Sequence, residues 1–250
     1  MSFANKIAEI QFLNANNADV ACNYILDIWK KQDVCVIHFM YYASLELLRK
    51  NDAYAAALTL SNYILVDGIG MQLYFKLSMD KKMNNLNGTD LSPVLIQKLI
   101  QREIPISFYG TTQTQISACN EQLNKQYKKQ ILHYFQDGYS ALDWEKIPNK
   151  SVLFVGLGTP MQEIWTATNY PIIQEKKLLL ISVGGYFDFL SGYYARAPIL
   201  IRKIKMEWLW RTILHPTRHY QKRLRDLTIF FRPFLDKFSN IQKYFKILEL

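Results

Sequence analysis

A series of short apolar runs, most of them closed by glycine or aspartate and followed by helix-like sequence, constrains this chain more than any other feature. Val34–Met40 precedes a helical stretch near Leu45–Lys50, and Tyr63–Val66 runs into Asp67-Gly68-Ile69-Gly70. Pro105–Tyr109 runs into Gly110 and a polar helix from about Thr111, and Ile131–Phe135 into Gln136-Asp137-Gly138. Ser151–Val155 runs into Gly156-Leu157-Gly158, and Leu178–Val183 into Gly184-Gly185. Near-continuous apolar strands alternating with helices require a parallel sheet covered on both faces, because an alternating pattern would mark a sheet with one wet face. A helix is expected to start at Thr89 or Asp90, with Pro93 in its first turn. Ligands of such sheets bind at the carboxyl ends of the strands. That rule puts Asp67, Gly110, Gly156 and Gly184 along one rim.

At 250 residues, half of them hydrophobic and 20% charged, the chain suits one large α/β domain with a small appendage. Residues 1–195 read as the catalytic core and residues 196–250 as the appendage. The net charge of +9 lies wholly in that appendage, which holds thirteen of the 30 Lys and Arg residues and four of the 21 acids. Pro198 suits the first turn of a helix reaching about Ile213, and His215-Pro216 interrupts it. A second helix is expected over about Thr217–Phe231, and a last one with Phe238, Ile241, Phe245 and Leu248 on one face. A basic, aromatic-rich, amphipathic tail points to an anionic partner. Cys22, Cys35 and Cys119 are odd in number and far apart, which fits buried thiols in a reducing cytoplasm. The first residues lack the apolar core of a signal peptide, and no run reaches the ~18 apolar residues of a membrane span. The chain is therefore expected to be soluble or peripheral.

Chemistry is carried by few groups. Gly156-Leu157-Gly158 begins like a dinucleotide fingerprint, but Met161 stands where the third small residue belongs, which disfavours a nicotinamide enzyme. The turn can still present N–H groups to a phosphate, or be a plain strand-to-helix turn. Asp67 is placed to be a general base or, equally, to cap the next helix. Asp188 is a second acid near the same rim, among aromatics. His38, His133, His215 and His219 show no ligand spacing, and Asp143-Trp144-Glu145 fits a solvated helix face better than a metal site. Without a metal, a phosphate-handling enzyme needs arginines and backbone dipoles. Arg196, Arg202, Arg211, Arg218, Arg223 and Arg225 are available. The same basic residues beside Trp208, Trp210, Phe230 and Phe231 leave a nucleic-acid binder as a rival, though the apolar faces suit lipid better.

Seven segments in order resemble one family. They are Val66–Gly70 (VDGIG), Gly88–Leu91 (GTDL), Gly156–Glu163 (GLGTPMQE), Val183–Gly192 (VGGYFDFLSG), Arg196–Pro198 (RAP), Glu207–Arg211 (EWLWR) and His215–Arg218 (HPTR). Together they resemble the WecG/TagA/CpsF glycosyltransferases. The resemblance implies a Rossmann-like core and a metal-independent, inverting transfer from a UDP-sugar, often of N-acetylmannosamine or glucose. The implied acceptor is a polyprenyl-diphosphate-linked saccharide used in teichoic acid, common antigen, capsule or exopolysaccharide assembly. It implies no cofactor, and a tail that docks on the inner face of the cell membrane and completes the site. Asp67 matches the family's base, and Gln162 and Glu163 a pair beside the donor pocket. Arg196, Glu207, Arg211 and Arg218 match the C-terminal signature, and Arg223 or Arg225 adds a basic contact. Gly68, Gly156, Gly158, Thr159 and Asp188 complete the expected substrate-binding set. One departure stands out: Phe39 and Tyr41 occupy the places where the family has Thr and Asn lining the pocket. Altered specificity, or a member that has lost catalysis and serves as a scaffold, would both follow from that change. Self-association is left open.

Overall fold

A computed structural model describes residues 9–198, 201 and 244–250. Eight strands form one sheet: β1 (Ile10–Asn14), β2 (Cys35–Met40), β3 (Tyr63–Val66), β4 (Ile106–Gly110), β5 (Leu132–Gln136), β6 (Val152–Gly156), β7 (Leu179–Ser182) and β8 (Phe245–Glu249). Every pairing is parallel, in the order β5-β4-β6-β7-β2-β3-β1-β8. The helices are α1 (Ala18–Gln32), α2 (Ser44–Lys50), α3 (Asp52–Thr59), α4 (Ile69–Met79), α5 (Gly88–Gln101), α6 (Gln113–Tyr127), α7 (Met161–Thr168), α8 (Tyr170–Glu175) and α9 (Tyr186–Leu190). The Rossmann-like α/β architecture expected from the sequence is therefore present. Among the described residues, no helix is long and apolar enough to cross a membrane.

Both faces of the sheet are covered, and the strands are apolar on both sides for that reason. In β2, Cys35, Ile37 and Phe39 enter a cluster with residues of α1, α5, α6 and α9. Met40 enters a cluster on the other face with residues of α2, α3 and α4, and Val36 one with residues of α8. Burying one such side chain is worth about 1.5–3 kcal/mol, so strands of this kind are stable only when helices lie on both sides.

The two halves of the sheet meet between β2 and β7. The chain leaving β2 passes to the face covered by α2 and α3, whereas the chain leaving β7 enters α9 on the opposite face. Adjacent strands whose connections depart to opposite faces leave a crevice above their carboxyl ends. The candidate site therefore sits at this junction.

Two strands differ from the sequence reading. Ile10–Asn14 is a strand, between β3 and β8, that the composition does not single out. The last helix expected through Phe245 and Leu248 is instead β8, paired in register with β1 from Ile10–Phe245 to Asn14–Glu249. Phe245 and Ile247 face one core cluster, and Leu248 and Leu250 the other. An apolar pattern on both faces of a strand also satisfies helical spacing, hence the misreading. Residues 244–250 thus belong to the core sheet and not to an appendage. Helix α5 also begins earlier than expected: Asn87 is its cap, accepting from the Asp90 N–H at 2.9 Å, and Pro93 falls beyond the first turn.

Candidate active site

Asp67 follows the last residue of β3 and is half-buried at the rim. Its N–H donates to the Met40 carbonyl at 2.9 Å, tying it to β2 beside the crevice. The residue that caps α4 is Gly68, so the helix-cap role open to Asp67 falls to its neighbour. Gly68 has φ +86° and ψ 161°, a conformation nearly confined to glycine, and it turns the chain sharply after the carboxylate. Its N–H donates to Asn85 Oδ1 at 2.7 Å, and the Leu86 N–H donates to the Val66 carbonyl at 2.9 Å. Asn14, at the end of β1, holds the same loop: its Oδ1 accepts from the Asn84 N–H at 2.8 Å and its Nδ2 donates to the Lys82 carbonyl at 3.0 Å. Residues 82–86 thus form a fixed wall beside Asp67. The sequence reading missed Asn14 and Asn85. The asparagine-rich run 84–87 was the available signal for the second.

The turn after β6 lies on the other side of the crevice. Gly156, Gly158 and Thr159 lead into α7, whose first residues are Met161, Gln162 and Glu163. Gln162 and Glu163 are only 2% and 0% exposed. Glu163 Oε1 accepts from Thr159 Oγ1 at 2.9 Å and from Gln162 Nε2 at 3.0 Å. Gln162 Oε1 accepts from the Gly184 N–H at 3.2 Å. The pair therefore ties the β6 turn to the turn that follows β7. Burial pushes the Glu163 carboxyl above its ordinary range, while the donors from Gln162, its own backbone and Thr159 pull it back. Met161, where a dinucleotide site needs a small residue, is well exposed.

Asp188 lies in α9, half-buried, and accepts from Gln115 Nε2 at 2.9 Å. Arg196 donates from Nη2 to Asp90 Oδ1 at 2.8 Å and lies over the Phe189 ring at 5.7 Å. Glu207, Arg211, Arg218, Arg223 and Arg225 lie outside the described residues. Phe39, next to last in β2, has little exposed surface. It is a buried member of the core cluster, with its ring 3.4 Å from the point where a Cβ on Gly88 would stand. Tyr41 is half-buried beyond the end of β2.

His38 and Ser182 pair across the β2–β7 junction beneath the crevice, with Nδ1 and Oγ 2.7 Å apart. Both are fully buried, and burial lowers the His38 pKa to about 3, so the ring is neutral. All three cysteines are free and buried, with thiols pushed up to about 12 by desolvation. Asp143 accepts from the Glu145 N–H at 3.2 Å and pairs with Lys146 at 3.1 Å, as a solvated turn would.

The chain matches the glycosyl transferase WecG/TagA/CpsF family model over residues 6–243. It is 30% identical over 174 residues to an N-acetylglucosaminyldiphosphoundecaprenol N-acetyl-beta-D-mannosaminyltransferase of Bacillus subtilis, covering 68% of this chain and 67% of that one. A protein of the same name from Bacillus spizizenii is 28% identical over 175 residues, with the same coverage. Another from Staphylococcus aureus is 25% identical over 186 residues, covering 72% of this chain and 71% of the relative. A parallel sheet with its crevice at the β2–β7 junction, an aspartate at that rim and a match along nearly the whole sequence lead to one conclusion: the chain belongs to the WecG/TagA/CpsF family of glycosyltransferases.

Proposed function

We propose that this transferase moves a sugar from a UDP-sugar onto a polyprenyl-diphosphate-linked saccharide in cell-surface polysaccharide assembly. The reaction is a single displacement with inversion, independent of a metal ion. Asp67 accepts the proton of the acceptor hydroxyl as its oxygen bonds to the anomeric carbon. The bond from that carbon to the diphosphate breaks, and UDP departs on the opposite face. The position of Asp67, at a strand end beside the crevice and outside the cap of α4, carries this reading. General-base assistance of this kind is worth about 10²–10⁴-fold.

The departing diphosphate is stabilised by the Gly156–Thr159 turn and by arginines of residues 196–250, where the excess positive charge is concentrated. N-acetylmannosamine is the first donor sugar to test, because the similar Bacillus and Staphylococcus proteins carry it in their names. The basic tail holds the enzyme to the inner face of the membrane, each Lys or Arg near an anionic leaflet contributing about 1 kcal/mol. The test is transfer by the purified protein from a panel of UDP-sugars to a short-chain lipid-diphosphate acceptor, with and without chelator. Chelator-resistant transfer of one sugar with inverted configuration is the expected result. Dependence on added manganese would overturn the metal-free mechanism.

A further inference from the structure

We propose that Glu163 is a positioning residue that sets the donor-binding turns through Gln162 and Thr159 without touching the donor itself. This inference rests on the proposed placement of the UDP-sugar diphosphate at the Gly156–Thr159 turn. Glu163 is fully buried and Gln162 nearly so. Together they join two turns. Thr159 Oγ1 and Gln162 Nε2 both donate to Glu163 Oε1, and Gln162 in turn accepts from the Gly184 N–H. Three side chains thus link the end of β6 to the end of β7, neighbouring strands in the sheet.

The arrangement suits a cradle whose backbone must be held still. Glycine-rich turns bind phosphate well only if their N–H groups are already aimed, since reorganising them on binding loses affinity. Gly158 and Gly184 both have positive φ, 78° and 52°, so each turn pivots on a residue with no side chain to restrain it. Restraint comes from the buried strut. One carboxyl oxygen accepts from both donors at once, although burial works against its ionised form. The geometry makes the shared Oε1 acceptor the working part: its reach to Thr159 and to Gln162, more than its charge, holds the turns.

Two substitutions separate reach from charge. Glu163→Gln keeps an acceptor oxygen in place, whereas Glu163→Asp keeps the charge and withdraws it by one methylene. Steady-state transfer by the full-length protein, with UDP-sugar and acceptor varied separately, gives KM for each, and thermal melting reports the fold. The expected result is a donor KM raised about tenfold in E163D, with acceptor KM unchanged and UDP affinity measured by calorimetry weakened in parallel. E163Q is expected to remain within about threefold of wild type. A role confined to stability would lower the melting temperature and the active fraction without moving donor KM. Unchanged donor KM and UDP affinity in E163D, or a larger effect in E163Q than in E163D, would overturn the proposal. Failure of the wild-type protein to bind UDP would instead remove the donor-site reading beneath it.

Discussion

The Arg196 guanidinium donates to the Asp90 carboxylate at 2.8 Å, joining two residues 106 positions apart. The GTDL and RAP segments are thereby in direct contact. Asp90 is itself held by Asn87 Nδ2 at 2.8 Å, and Arg196 packs over Phe189. The chain that continues into the basic tail is thus anchored on α5 and α9. Both partners are partly exposed, at 28% and 51% of the side chain, so solvent screens the pair. A double-mutant cycle with Asp90→Ala and Arg196→Ala, read by urea unfolding, is expected to give a coupling of about 0.2–1 kcal/mol. Additive single effects would show that the two side chains are not energetically coupled.

Gly68 has the sharpest local consequence for Asp67. Its φ of +86° with ψ of 161° lies where only glycine is comfortable, although a Cβ there would meet no atom within 4 Å. Gly68→Ala is therefore expected to cost about 1–3 kcal/mol through backbone strain alone. Activity should fall further than stability, because relief of that strain moves the adjacent carboxylate. Thermal melting beside turnover measures the two effects separately.

The buried His38 makes stability depend on acid. Its pKa is lowered to about 3 in the folded protein from the ordinary histidine value of 6.5, so the unfolded chain binds the extra proton first. Stability is therefore expected to fall as pH drops from about 6.5 towards 3, with a slope approaching 1.4 kcal/mol per pH unit for this group. Glu163 acts in the opposite sense. Its folded pKa is raised, so its contribution favours the folded state at low pH and is lost as pH rises from 4.5 through the folded value. Urea unfolding across this range is expected to show a shallower acid loss in His38→Gln and a steeper one in Glu163→Gln.

The cysteines give an inexpensive check on the core. Cys22, Cys35 and Cys119 are buried on the face covered by α1, α5, α6 and α9, with thiol pKa values near 12. A thiol-specific disulfide reagent at neutral pH is expected to leave all three unmodified in the native protein and to titrate three in urea. Rapid reaction of any one of them under native conditions would contradict the packing of that face.

What could be read from the sequence follows from where each residue's partners lie. Tyr63–Val66, Ile106–Gly110 and Val152–Gly156 announced themselves because strands buried on both faces are apolar throughout and end abruptly at a turn. Asp67 was readable as a rim residue for the same reason. Ile10–Asn14 was not, since five residues containing Gln11 make a weak signal. Phe245 and Leu248 suggested a helix because three-residue spacing and two-sided burial coincide over so short a run. Glu163 and Gln162 follow a turn, where polar side chains are ordinarily solvated, and only the tertiary structure reveals their burial. Likewise, Phe39 could be placed in the core only once Gly88 of a distant helix was seen beside it.

Turnover of Asp67→Asn is the most direct measurement, made with the UDP-sugar that the wild-type enzyme uses and a lipid-diphosphate acceptor. If the rim carboxylate takes the acceptor proton, turnover falls by about 10²–10⁴-fold, while UDP affinity and the melting transition remain those of wild type. Wild-type turnover in that variant would contradict the mechanism and require another base.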